Sequence, residues 1–86
     1  MSLLSEHVIP GDHGKIFETN AKSRKDLERV QSFICELEAV RDVLINENVF
    51  PRQLTVHTSA LLKVKDVERQ VLKAGFHVVP KAIFPI

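Results

Sequence analysis

The spacing of apolar residues changes several times along this chain, and the order of these changes limits the fold more than any other feature. An apolar spacing of two, which is typical of strands, relates Val43 to Ile45 and Leu54 to Val56, and residues 15–21 and 76–84 are predicted to form two further strands. Apolar spacings of three and four, which are typical of helices, occur over residues 24–39 and 60–74. The predicted order is therefore strand, helix, strand, strand, helix, strand.

The start of the first helix carries a capping pattern. Ser23 is a favourable N-cap residue, and Asp26 stands three positions later, where a capping box usually has glutamate. We expect the Ser23 hydroxyl and the Asp26 carboxylate to bond free N–H groups of the first turn. The apolar stripe of this helix consists of Leu27, Val30, Ile34 and Leu37.

The second helix has start and stop signals of its own. Ser59 stands at the expected N-cap position, and Gly75 stands where a helix C-terminus favours a left-handed residue. The two middle strands are joined by residues 46–52, and this loop should hold Pro51 because proline cannot donate a hydrogen bond in a central strand. The apolar stripe of the second helix consists of Val64, Val67, Val71 and Ala74.

Each predicted helix is apolar on one side only, so both helices should cover the same face of one sheet. Two right-handed crossovers then give a four-stranded antiparallel sheet in the order 4-1-3-2, counting strands along the chain. The predicted fold class is α+β, a ferredoxin-like βαββαβ sandwich with both helices on one face.

The N-terminal residues are predicted to lie outside this sandwich. Residues 1–13 are expected to form a tail and residues 14–86 the domain, with residues 7–9 as a short edge strand. The turn at residues 10–14 should use glycine for its positive φ.

Composition excludes several function classes. The chain has 86 residues, a formal net charge of +1 and no Trp or Tyr, so no nucleic-acid partner is expected. No apolar run approaches the roughly 20 residues that span a bilayer, and residues 1–9 lack a signal-peptide pattern, so no membrane partner is expected.

The single cysteine, Cys35, cannot form an intrachain disulfide, which favours a cytoplasmic location. We expect its thiol to be half-buried and inert beside acidic residues.

The segment FETNAKSRKDLERV, residues 17–30, resembles the heavy-metal-associated domain family, which includes small copper chaperones and N-terminal domains of metal-transporting ATPases. The resemblance covers about residues 15–79 and includes the later segments LTVHT and KAGFHV. Similar family members read F-x-T-N-x-x-C-x-x-C, so Ser23 and Asp26 take the two cysteine positions.

The resemblance implies a metal loop from which both thiolates are missing. In that family, Cu(I) lies between two thiolates, and soft Cu(I) prefers sulfur ligands. A serine hydroxyl and an aspartate carboxylate are hard ligands, and Arg24 and Lys25 beside them repel cations. We therefore predict a non-enzymatic domain that has lost metal binding and needs no cofactor. It should act as a partner-binding or regulatory module related to metal handling, with a metal transporter or its regulator as the expected partner.

Two alternatives use other side chains. A metal-trafficking protein could bind copper or zinc through non-standard ligands, with Glu18 between His57 and His77 on the open face of the sheet. A small-anion-binding or acylphosphatase-like domain could use Arg24 and Lys25 at the helix N-terminus, although neither a glycine-rich loop nor a nucleophile accompanies them.

A homodimer is also predicted. Ile16, Leu44 and Val79 should lie on the sheet face that no helix covers, where they would expose an apolar patch. Packing of two such faces, or pairing of adjoining edge strands, would cover this patch.

Overall fold

The computed structural model describes residues 8–85 and contains two helices and six strands in that part of the chain. Along the chain these are β1 (Val8–Ile9), β2 (His13–Thr19), α1 (Arg24–Cys35), β3 (Val40–Asn46), β4 (Arg52–Thr58), β5 (Leu62–Lys63), α2 (Val64–Lys73) and β6 (Val78–Pro85). Neither helix within these residues has the length and apolar character needed to cross a membrane.

Four strands form the main sheet in the order β3-β4-β2-β6, and every neighbouring pair is antiparallel. The two short strands, β1 and β5, form a separate antiparallel pair. The predicted α+β class is confirmed, and the arrangement is compatible with a ferredoxin-like sandwich.

The register of the main sheet separates a core face from an open face. Phe17 of β2 lies opposite Leu54 of β4, and Val43 of β3 lies opposite Val56. All four side chains are buried, and they pack with the apolar stripes of both helices into one core. The buried helix residues of this core are Leu27, Val30, Ile34, Val64, Val67 and Val71.

Helix α1 begins after its predicted cap but ends earlier than predicted. Its last residue is Cys35, whereas the apolar spacing predicted an end near Ala39. The N–H of Leu37 donates to the carbonyl of Ile34 at 3.1 Å, and the N–H of Val40 donates to the carbonyl of Leu37 at 3.1 Å. The chain therefore leaves the helix through tight turns that reverse it into β3.

The segment before α2 forms a strand instead of the predicted first helical turn. Helix α2 begins at Val64 and not near Ala60, because β5 lies between them and pairs with β1. Ser59 does not cap α2, because the N-cap residue is Lys63, which makes no side-chain cap hydrogen bond. The predicted left-handed residue after α2 is confirmed, because Gly75 has a φ of 94°.

Residues 8–13 belong to the folded part and not to a tail. Ile9 is fully buried, and the hydroxyl of Thr58 donates to the carbonyl of Pro10 at 2.6 Å. The predicted edge strand is present as β1, but it pairs with β5 and not with the main sheet. The predicted domain boundary after residue 13 therefore falls inside β2, which starts at His13. Residues 1–7 of the predicted tail lie outside the described residues.

The turn between β1 and β2 differs from its prediction in one detail. Its positive φ, 57°, belongs to Asp12 and not to a glycine. Aspartate is among the few side chains that adopt this region readily. Gly11 has a different role, because a Cβ atom there would lie 3.2 Å from the Cα of Ala60.

Candidate functional site

Three loops meet at one end of the main sheet, which we call the loop end: residues 20–23, 47–51 and 74–77. They meet because the strands are antiparallel. β2 finishes at Thr19, which lies opposite Arg52 at the start of β4 and Val78 at the start of β6. The two predicted metal-loop positions, Ser23 and Asp26, lie here at the start of α1.

Ser23 fixes the first turn of α1. Its hydroxyl oxygen accepts a hydrogen bond from the N–H of Asp26 at 3.1 Å, and its carbonyl accepts one from the N–H of Leu27 at 2.9 Å. The predicted cap is therefore confirmed at Ser23. Among the hydrogen bonds of residues 8–85, none joins the Asp26 carboxylate to the N–H of Ser23, so the capping box is incomplete. Asp26 contributes its negative charge at the positive end of the helix.

Arg24 is held by two carboxylates. Its Nε donates to Glu28 at 3.0 Å, and its Nη1 donates to Glu47. The hydrogen bond to Glu47, followed by that to Glu28, raises the pKa of Arg24. Because Glu47 lies in the 47–51 loop, this pair joins that loop to the start of α1. Arg24 is thus already paired at the predicted anion site, whereas Lys25 is exposed and has no ion pair within the described residues.

Polar side chains at the end of β2 bind the loop that precedes β6. The hydroxyl of buried Thr19 donates to the carbonyl of His77 at 2.9 Å and accepts the N–H of Ala21 at 3.2 Å. The side-chain oxygen of Asn20 accepts the N–H of His77 at 2.8 Å. These bonds were not predicted. A Thr-Asn pair at the end of a strand could have indicated them, because both side chains readily bond nearby backbone groups.

The alternative metal ligands Glu18, His57 and His77 do not come together. The residue opposite Glu18 on β4 lies four positions before His57, which corresponds to about 13 Å along the strand. The Nδ1 atom of His57 instead lies 2.6 Å from Asp42 Oδ1. Within residues 8–85, no group of three or more His, Cys, Asp or Glu side chains could hold a metal ion. The three-residue site is therefore not formed.

Glu18 and His77 instead share an open groove at the loop end, with a volume of about 230 Å³. Beside the groove, Phe50 exposes 73% of its surface. The Nζ atom of Lys22 and the Cζ atom of Arg52 lie 5.9 Å and 5.8 Å from the centre of the Phe50 ring, within the range of cation–π attraction. The remaining groove residues are Thr19, Asn20, Pro51 and Val79.

The residues of the predicted self-association patch share the open face of the main sheet. Leu44 is 54% exposed and Val79 is 56% exposed, which agrees with their predicted placement away from the helices. However, Leu44 lies on β3 and Val79 on β6, the two edges of the sheet, so about 14 Å of strand spacing separates them. Ile16 lies on β2 between them and is partly buried. Thr55 of β4 lies opposite both Leu44 and Ile16, so these three residues form one row across the open face, and Val79 lies opposite Glu18, two positions along β2 from Ile16.

No family model, no curated protein and no solved structure matches this chain. The resemblance to heavy-metal-associated domains thus stays a prediction.

Two further titratable groups lie away from the loop end. Cys35 is exposed and not half-buried as predicted. Partial desolvation of its thiol, and then the negative charge of Asp42, raise its pKa, so the thiolate is disfavoured. Lys15 is buried on the core face of β2 opposite Val56, and this burial lowers its pKa. Burial of Lys15 was not predicted.

Proposed function

We propose that this chain is a heavy-metal-associated-like domain whose former metal loop now serves to start a helix. Its role is to bind or regulate a protein partner, without catalysis and without a metal cofactor. We assign it the ferredoxin-like strand order 4-1-3-2. The order β3-β4-β2-β6 supports this assignment, because these are the second, third, first and fourth strands of the main sheet along the chain.

The use of Ser23 as a backbone cap carries the proposal. Its hydroxyl oxygen accepts the Asp26 N–H at 3.1 Å, an arrangement that stabilises the first helical turn. Soft ions such as Cu(I) prefer sulfur ligands, and neither Ser23 nor Asp26 has sulfur. Arg24 stands between them and is paired with Glu28 and Glu47.

Exposed apolar side chains at the loop end support partner binding. Phe50 is 73% exposed, and Val79 and Pro51 line the neighbouring groove. An isolated exposed apolar residue is ordinary, whereas several around one groove are typical of an interaction surface. Aromatic residues are also enriched in protein interfaces. The resemblance implies that the partner is a metal transporter or its regulator.

The arrangement of polar residues supports a non-catalytic role. An acylphosphatase-like role would need an arginine available to an anion, and Arg24 is bonded to two carboxylates.

A metal-trafficking role is the second candidate, favoured by the shared position of Glu18 and His77 in one groove. A zinc site needs three or four protein ligands, so these two side chains would need a further ligand. The Nζ atom of Lys81 lies 3.8 Å from the Glu18 carboxylate and opposes a cation there. This candidate is therefore the weaker one.

Titration of the wild-type protein with Cu(I) and with Zn(II) under reducing conditions separates the two candidates. We expect no stoichiometric complex with either ion. A tight one-to-one complex that is lost in Glu18→Gln or His77→Ala would support the metal-trafficking role and overturn the proposal.

A further inference from the structure

The two edges of the main sheet differ in how they resist pairing with another strand. An edge strand presents N–H and C=O groups to which a further chain can bond. On the β6 edge, Pro80 and Pro85 have no N–H to donate. The opposite edge, β3, has the sequence VRDVLIN, without proline, glycine or lysine, and its register is irregular only between Val40 and Asp42. The middle of β3 is therefore where a further strand would pair most readily.

The side chain of Gln31 reaches this edge from α1. Its Nε2 atom donates to the carbonyl of Val43 at 2.6 Å. In an antiparallel pair, opposite residues alternate between exchanging both backbone hydrogen bonds and exchanging none. The N–H of Val40 donates to Leu37 at 3.1 Å, outside the sheet, so Val40 is a position of the second kind. With the extra residue between Val40 and Asp42 counted, Val43 is the next such position, and its backbone groups point away from β4.

We propose that the middle of β3 is a self-association surface for a second copy of this chain and that Gln31 keeps it closed. Ile45, two residues after Val43, has the same backbone orientation. A two-fold axis that places Leu44 opposite Leu44 of the second copy also places Val43 opposite Ile45 of that copy. Each such pair would exchange two backbone hydrogen bonds. One of these needs the Val43 carbonyl, which Gln31 already bonds.

The side chains along this edge favour the same pairing once the Gln31 amide is removed. Leu44 exposes 54% of its surface on the open face. It lies in one row with Thr55 and Ile16, so the two-fold axis would join two such rows through a pair of Leu44 side chains. Opposed apolar side chains stabilise antiparallel strands, whereas like charges in the same place destabilise them.

This inference goes beyond the proposed function, because it depends neither on the identity of the protein partner nor on metal binding. It also narrows the predicted homodimer, which could form by packing of open faces or by pairing of edge strands. We expect the second route to be closed at β3 in the wild-type chain.

Sedimentation equilibrium of the wild-type chain and of Gln31→Met tests the inference. Methionine has a similar length and helix propensity but no N–H donor. We expect Gln31→Met to raise the association constant roughly tenfold or more, because the Val43 carbonyls of both copies become available for pairing. Ser32→Met is the matched control, since it adds the same side chain at the next position of α1, which is exposed. It should associate no more strongly than the wild type.

A second substitution in the Gln31→Met background locates the interface. Leu44→Lys should return the association constant to the wild-type value, because it places like charges opposite each other. Leu72→Lys should leave the raised constant unchanged, since Leu72 is also 54% exposed but lies on α2. Equal effects of the two lysines would overturn the assignment to β3.

Amide hydrogen exchange tests the orientation of the edge in the wild-type chain. We expect the N–H of Ile45 to exchange much faster than that of Leu44, which bonds β4, and to become protected in concentrated Gln31→Met. Equal protection of the two amides in the wild type overturns the inference. So does a Gln31→Met chain that is folded by circular dichroism but associates no more strongly than the wild type. Gln31→Ala takes its place if Gln31→Met is not folded.

Discussion

At the scale of single residues, the hydroxyl of Ser23 is the group on which the start of α1 depends. We expect Ser23→Ala to lower the free energy of unfolding by about 1 kcal/mol, because the N–H of Asp26 then loses its partner. Ser23→Asp is the matched control, since aspartate is an equally good cap. Urea denaturation of the three proteins measures the difference. Equal loss of stability in both variants would contradict the assigned role of the hydroxyl.

Lys15 should make the stability of the folded chain depend on pH in the alkaline range. Its ammonium loses hydration on folding, so its pKa in the folded chain lies below the ordinary value of 10.5. Between these two pKa values the unfolded chain binds more protons, and the free energy of unfolding therefore rises with pH. Cys35 acts in the opposite direction, because its raised pKa leaves the folded chain with more bound protons.

The test of Lys15 is urea denaturation from pH 7 to pH 10.5 in a Cys35→Ser background. We expect stability to increase with pH in this protein and the increase to disappear when Lys15→Met is added. The same pH slope with and without Lys15 would show that burial does not perturb this lysine.

At the scale of elements, the sequence predicted those features of the helix ends that depend on hydrogen bonds between neighbouring residues. Ser23 before α1 and Gly75 after α2 were predictable because a cap and a left-handed residue are set by a few neighbouring backbone groups. β1 was predicted as an edge strand, but β5 and its pairing with β1 were not predictable, because a two-residue strand has no period and exists only through pairing between distant parts of the chain. For the same reason the groove was missed, since Asn20, Pro51 and His77 come from three different loops.

Thr58 of β4 bonds the turn between β1 and β2 through its side chain. Its buried hydroxyl donates to the carbonyl of Pro10 at 2.6 Å and accepts the N–H of His13 at 3.1 Å. We expect Thr58→Val, which keeps the shape but removes the hydroxyl, to cost about 1–3 kcal/mol because buried partners lose their bonds. Hydrogen exchange at Asp12 and His13 should accelerate more than exchange in α2. Thr58→Ser should retain most of the protection, and uniform acceleration in all elements would contradict this local role.

At the scale of the whole molecule, the antiparallel sheet determines what the loop end presents. Because β2 runs into α1 at this end, positions 23 and 26 lie one helical turn apart at the helix start. The bonds of Thr19 and Asn20 to His77, and of Arg24 to Glu47, hold the neighbouring loops in place around these positions. Replacing the side chains at positions 23 and 26 should therefore change the chemistry of the loop without changing the fold.

The most direct test of the account is competition with a coloured Cu(I) chelator, using the wild-type loop and the double variant Ser23→Cys/Asp26→Cys. Both proteins carry Cys35→Ser, so that only the loop can supply thiolates. We expect the wild-type loop to leave Cu(I) with the chelator and the folded double variant to remove one Cu(I) per chain. Stoichiometric removal by the wild-type loop, or a folded double variant that removes none, would contradict it.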